Sequence, residues 1–212
     1  KEAEKTNARI ILFAGVHFMA ETAKIINPGK KVIIPDMEAG CSLSDSCPPD
    51  RFAKFVKDHP NHTVVSYINC SAEIKALSDI ICTSSNALKI IESIPKNHRI
   101  IFAPDKNLGR YISKLSHREL VLWDGVCIVH QEFSEEELEK IRDKYPKSKV
   151  IAHPECDSYL LRSADFIGST KALLDYTVRD SSTTYIVATE SFLLHQMKKI
   201  TPEKTFITAP VI

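Results

Sequence analysis

Cys41, in the run Pro35-Asp36-Met37-Glu38-Ala39-Gly40-Cys41-Ser42, and Cys127, in Trp123-Asp124-Gly125-Val126-Cys127-Ile128-Val129-His130, stand 86 residues apart. The same shift carries Tyr67 and Asn69 onto His153 and Glu155, and Ser84 onto Thr170. A thiol, a phenol or imidazole, an amide or carboxylate, and a hydroxyl therefore recur in one register. Soft thiolates select iron–sulfur clusters, zinc or copper(I). A structural zinc site more usually draws on closely spaced Cys pairs, which this chain lacks. Three cysteines from widely separated segments instead suit a cube cluster with one open iron. Adding 86 to Cys127 gives position 213, where the repeat expects the third. His153 and Glu155 flank Pro154, which fixes a turn, and two polar side chains about a proline at a strand end point to function. Ser84, Ser85 and Thr170 fall near helix starts, where capping and anion binding are compatible.

Other residues have plainer readings. Cys70, Cys82 and Cys156 fit small buried hydrophobes. Cys47 follows Cys41 closely enough to share a metal, but Phe133 stands at its counterpart. His17, His59, His62, His98, His117 and His195 read as surface or structural.

The repeat extends beyond the polar residues. Pro60 falls on Pro146, Val64 on Val150, Cys70 on Cys156, Asp79 on Asp165, Leu88 on Leu174 and Ile100 on Ile186. Short apolar runs at 10–14, 31–35, 63–69, 80–83, 99–103, 119–123, 149–153, 166–168, 185–189 and 204–208 are near-continuous in Val, Ile and Phe, as strands covered on both faces should be. Helical patterns lie between them at 18–26, 50–58, 71–78, 86–94, 107–115, 135–144 and 190–200, with a capping box of Ser134 and Glu137 opening the sixth. This alternation predicts an α/β fold of repeated three-layer αβα units with four-stranded parallel sheets. The repeat divides the chain into 1–28, the end of a first unit; 29–115, a second; 116–200, a third; and 201–212, a return to the first. Both ends read as cuts, since the chain does not begin with Met and strong elements lie close to each terminus. Ligands of open parallel sheets bind beyond the carboxyl ends of the strands, which is where the paired polar residues fall.

Composition sets the bounds. With 212 residues and 43% hydrophobic content there is mass for a sizeable core. A net charge of +1 gives no reason to expect nucleic acid or an anionic membrane, and no apolar run approaches the ~20 residues of a membrane helix. Six dispersed cysteines without a secretion signal point to a reducing cytoplasm. The sequons at Asn61 and Asn69 then read as chance.

The same residues carry a family resemblance. The runs 16–25, 35–47 (PDMEAGCSLSDSC), 67–69, 82–87, 104–109, 125–130, 153–156 and 168–170 together resemble quinolinate synthase, in order and over essentially the whole chain. The resemblance implies three αβα units in pseudo-threefold symmetry and a [4Fe–4S] cluster held by one cysteine per unit, with Cys41 and Cys127 matching two of them. It implies condensation of iminoaspartate with dihydroxyacetone phosphate to quinolinate, the open iron acting as Lewis acid. L-aspartate oxidase or aspartate dehydrogenase is the implied functional partner. Tyr67, Ile68, Asn69, Ser84, His153, Pro154, Glu155 and Thr170 match substrate-contacting positions, and His130 matches a histidine beside the second ligand. Catalytic roles are expected of Glu155, His153 and Tyr67. The family's N-terminal His and Tyr contacts and third cysteine lie outside these residues, so the fragment alone is expected to be inactive. Two other readings stand beside this one: another open-iron hydro-lyase, and a non-catalytic iron–sulfur or zinc scaffold.

Overall fold

A computed structural model describes residues 2–211. Strands β1 (Ile10–Leu12) and β2 (Lys31–Ile33) form a two-stranded parallel sheet. Strands β3 (His62–Tyr67), β4 (Ile80–Cys82), β5 (Arg99–Ala103) and β6 (Val121–Leu122) form a second, in the order β4-β3-β5-β6. Strands β7 (Lys149–Ala152), β8 (Phe166–Ile167), β9 (Thr184–Ala188) and β10 (Thr205–Thr208) form a third, in the order β10-β9-β7-β8. All pairings within these sheets are parallel.

The helices are α1 (Glu2–Lys5), α2 (His17–Ile25), α3 (Ser42–Asp45), α4 (Pro49–Asp58), α5 (Ala72–Ala76), α6 (Ala87–Ser93), α7 (Lys106–Ser116), α8 (Ile128–Gln131), α9 (Glu135–Lys144), α10 (Ser158–Ser163), α11 (Thr170–Arg179) and α12 (Phe192–Ile200). None is long and apolar enough to cross a membrane.

Alternating side chains explain the three layers. Along β3 and β5, Val65, Tyr67, Ile100 and Phe102 enter one apolar cluster, while Val64, Ile101 and Ala103 enter another. Along β7 and β9, Val150, Ala152, Ile186 and Ala188 oppose Ile151, Tyr185 and Val187 in the same way. Each central strand therefore buries both faces, and that is why its sequence reads as a continuous apolar run.

The two four-stranded sheets correspond under the 86-residue shift, and each is offset by one strand from the unit as the sequence repeat delimits it. The repeat places the strand at 119–123 first in its second full unit. The structure pairs it with β5 instead, Ile101 against Val121 and Phe102 against Leu122. The strand at 31–35 pairs with β1 rather than β3, and the one at 204–208 pairs with β9. Each sheet thus takes its last strand from the start of the next sequence unit. Periodicity marks where a strand lies but carries no information on its partner, so the offset was invisible. Helices α1, α3, α8 and α10 were also missed, being too short to show a 3.6-residue period, and the ten-residue α11 was anticipated only as a helix start near Thr170.

The repeated aspartates have a structural cause. Val64 N donates to Asp79 Oδ2 at 2.8 Å, and Val150 N donates to Asp165 Oδ2 at 2.7 Å. The backbone completes each pair, with Asp79 N donating to Val64 O at 2.9 Å and Asp165 N to Val150 O at 2.8 Å. Replacing either aspartate with Ala should destabilise the fold by about 1 kcal/mol, and the double variant by about the sum, since the sites share no partner. Urea unfolding measures this; a wild-type midpoint for either single variant would contradict it.

Candidate active site

The polar residues gather where strands end. Tyr67 closes β3, His153 and Glu155 follow β7, Thr189 follows β9, and Asp105 follows β5 by two residues. Cys41 and Cys127 immediately precede α3 and α8 and act as their N-terminal caps without a side-chain hydrogen bond.

The two cysteines are placed alike. The backbone amides of Leu43 and Ser44 lie near the Cys41 sulfur, and those of Val129 and His130 near the Cys127 sulfur, short of a formed hydrogen bond. Ile128 N donates to Ser42 Oγ at 3.4 Å, tying the two cysteine loops together. Both half-buried thiols pack on the apolar cluster that contains Tyr67. Burial, with the charge of Glu155 adding to it, pushes the Cys41 thiol up and the Cys127 thiol up to about 12. The Cys127 thiol is raised further by Cys41. Protonated thiols are what two neighbouring sulfurs and an acid produce without a cation; a bound metal deprotonates them.

Glu155 is the centre of the arrangement, with His130, His153 and Tyr67 around it. His130 Nδ1 lies 3.2 Å from Glu155 Oε2, and His153 Nδ1 lies 3.5 Å from Oε1. The two imidazoles stack with centroids 4.9 Å apart. The Tyr67 hydroxyl has the Glu155 carboxylate and the Ser84 hydroxyl as neighbours. Asn107 Nδ2 donates to the Glu155 carbonyl at 3.1 Å, fixing the turn from the first helical turn of α7. Burial pushes the Glu155 carboxyl up, but the His130 and His153 imidazoles and the Tyr67 hydroxyl around it outweigh that and hold it down at about 2. Burial lowers His153 to about 4, so its ring is neutral at pH 7. The Glu155 amide lies 3.4 Å from His153 Nδ1, the nitrogen that also stands nearest the Glu155 carboxylate. Burial, then the Glu155 charge, drives the Tyr67 phenol well above its ordinary value. At pH 7 the group is an ionised carboxylate beside a neutral imidazole and a neutral phenol.

Sequence reasoning missed Asp105 as a site residue. It is fully buried, its Oδ1 accepts from Leu108 N at 2.7 Å, and its Oδ2 has no aligned donor. Burial and the Glu155 charge push it up to about 8. Asn107 falls on Leu193 under the repeat, so a search for polar pairs passed over it, whereas Asp105 falls on Ser191, a polar pair the sequence reading did not take up.

The remaining predicted residues lie around this group. Ile68 and Asn69 are half-buried just past β3. Ser84 and Pro154 line a cavity of about 340 Å³ with Tyr111, Ser169 and Lys171. Thr170 is exposed as the first residue of α11, and its neighbour Ser169 is the cap, accepting from Ala172 N at 3.3 Å. A cavity of about 940 Å³ lies at the opposite ends of the strands, near His62, Arg99 and Val121. Its Arg118 guanidinium is spent on the carbonyls of Ile91, Ile94, Pro95 and His98.

The donor set fits a thiolate-bound metal group. Two sulfurs face backbone amides, which tune such clusters. Among the described residues, Cys127, His130 and Glu155 are the one trio of Cys, His, Asp or Glu whose ligand atoms lie within 4.8 Å of one another.

Close backbone approach holds the second cysteine loop. Gly125 O accepts from Lys106 N at 2.9 Å, and a Cβ on Gly125 would stand 2.5 Å from the Pro104 carbonyl oxygen and against Ser46 Oγ. Gly125→Ala should therefore displace the loop, costing about 1–3 kcal/mol as overpacking does, and lower the iron bound per chain in the full-length protein. Unchanged iron content and unfolding temperature would contradict the tight approach.

The fold and site define an α/β protein of repeated parallel sheets whose strand ends bring two thiols to a buried acid–imidazole cluster. The profile of the Quinolinate synthetase A protein family matches residues 1–212, and the chain belongs to that family. It is 61% identical over 210 residues to the quinolinate synthase of Chloroherpeton thalassium, covering 99% of this chain and 65% of that protein. It is 59% identical over 212 residues to that of Microcystis aeruginosa, covering 100% of this chain and 66% of that one. A third relative, from a Synechocystis species, is 59% identical over 210 residues, 99% of this chain and 66% of the relative. The chain thus spans 65–66% of the length of these relatives.

Proposed function

We propose that this chain forms part of a cytoplasmic quinolinate synthase, condensing iminoaspartate with dihydroxyacetone phosphate to quinolinate with loss of phosphate and water. The observation that carries this reading is the matched seating of Cys41 and Cys127 beside a buried Glu155, in a chain of that family. Cys41 and Cys127 would supply two thiolate ligands of a [4Fe–4S] cluster. An iron of that cluster free of protein ligands supplies Lewis-acid chemistry at a substrate oxygen.

The chain's own residues do the rest. Glu155 accepts the proton removed as the carbon skeletons join. His153, neutral at pH 7, donates to a leaving or developing oxygen. The Tyr67 phenol, kept protonated by burial and by Glu155, holds a carboxylate or a developing enolate. Asn69, Ser84 and Thr170 orient carboxylate or phosphate oxygens, Ile68 and Pro154 shape the wall, and His130 holds Glu155. L-aspartate oxidase or aspartate dehydrogenase would supply the imino acid.

The test is anaerobic purification of the full-length protein, counting iron and sulfide and assaying quinolinate from the two substrates. Equal iron and sulfide with quinolinate formed supports the reading. Zinc without sulfide would indicate the scaffold reading, and a loaded cluster without quinolinate would indicate another open-iron enzyme.

A further inference from the structure

Thr189 lies just past the end of β9 and is only 1% exposed. Its Oγ1 is 3.1 Å from Nε2 of His130, across 59 residues of chain. The other ring nitrogen, Nδ1, is 3.2 Å from Glu155 Oε2 but off the line of a straight hydrogen bond. The better-formed polar contact of this ring is therefore the one with Thr189. Stacking on His153 fixes the plane of the ring but not which nitrogen carries the proton.

A neutral imidazole has one N–H and one lone pair. A carboxylate only accepts, whereas a hydroxyl does either. One arrangement satisfies all three groups: Nδ1–H faces the carboxylate, and the Thr189 O–H points at Nε2. The other tautomer sets the Nδ1 lone pair against a carboxylate oxygen inside a closed site, where such repulsion is weakly screened. We propose that Thr189 is a positioning residue of this site: its hydroxyl donates to Nε2 of His130 and holds the ring in the tautomer whose proton, on Nδ1, faces Glu155. The inference rests on the reading of Glu155 as the acid–base group and adds the residue that orients its nearest partner. The repeat gave no hint of it, because Thr189 falls on Ala103.

The first measurement needs no activity. In the full-length protein prepared without its cluster, with ¹⁵N-labelled histidine, His130 should show a protonated Nδ1 and a bare Nε2. A proton on Nε2 overturns the proposal. The second uses the cluster-loaded protein. Thr189→Val, which keeps the shape and removes the hydroxyl, should lower kcat roughly 10-fold with KM and iron content unchanged, as loss of one buried hydrogen bond predicts. Thr189→Ser should restore kcat to within about threefold of wild type. A Val variant with wild-type kcat, or a Ser variant as impaired as Val, overturns it. If the Val variant does not fold, the wild-type tautomer decides. A wild-type protein that makes no quinolinate would refute the reading of Glu155 and leave the tautomer result standing, so the two failures are distinguishable.

Discussion

Glu155→Gln in the full-length protein should lower turnover by ~10²–10⁴-fold, the range for a positioned acid–base group, while iron and sulfide stay at wild-type levels. The substitution keeps the shape of the side chain and its acceptor oxygen for Tyr67, and it removes the base. The backbone that holds the turn is untouched, because Asn107 binds the Glu155 carbonyl rather than its side chain. The cysteine loops are tied independently, through Ser42 and Gly125. Substrate affinity should change much less than kcat. A loss of iron would recast Glu155 as a residue that organises the metal site, and unchanged turnover would falsify its catalytic assignment.

A larger and different loss is expected at the cysteines. Cys127→Ser and Cys41→Ser should each deplete iron and sulfide together and cut turnover more than about 100-fold, beyond what outer-shell changes around a metal cost. A serine oxygen is a harder donor with a shorter reach and does not replace a thiolate at iron. Cys156→Ala is the control. Cys156 is fully buried, its Sγ donates to the Ala188 carbonyl at 3.3 Å, and burial pushes its thiol far up, as suits a packing residue. That variant should lose stability and keep its iron. Full iron content in either serine variant would remove that cysteine from the metal site.

Much of this site was legible because the chain repeats. A single buried cysteine says little, but Cys41 and Cys127 share a register with Tyr67 and His153, and the structure gives their sulfurs matching amide neighbours. The central strands β3, β5, β7 and β9 were readable for a related reason: a strand covered on both faces must be apolar throughout. Three things were not readable. Strand partners were hidden, since β6 carries no residue that distinguishes β5 from β7 as its neighbour. The short helices α3 and α8, which seat the cysteines, are too brief for periodicity. Asn107 and Thr189 have the apolar counterparts Leu193 and Ala103, so the repeat that exposed the other groups screened these out, and Asp105 went unread although Ser191 is its counterpart. Their importance lies in what they touch across tens of residues, and only the folded chain supplies that.

The central claim is that Cys41 and Cys127 serve one metal group beside Glu155. The most direct measurement is a crystal structure of the full-length protein grown without oxygen, with iron located by its anomalous scattering. The account predicts iron bonded to both sulfurs, on the side from which Glu155, His153 and Tyr67 are reached. Iron bound elsewhere, or the two sulfurs pointing to separate surfaces, would contradict it.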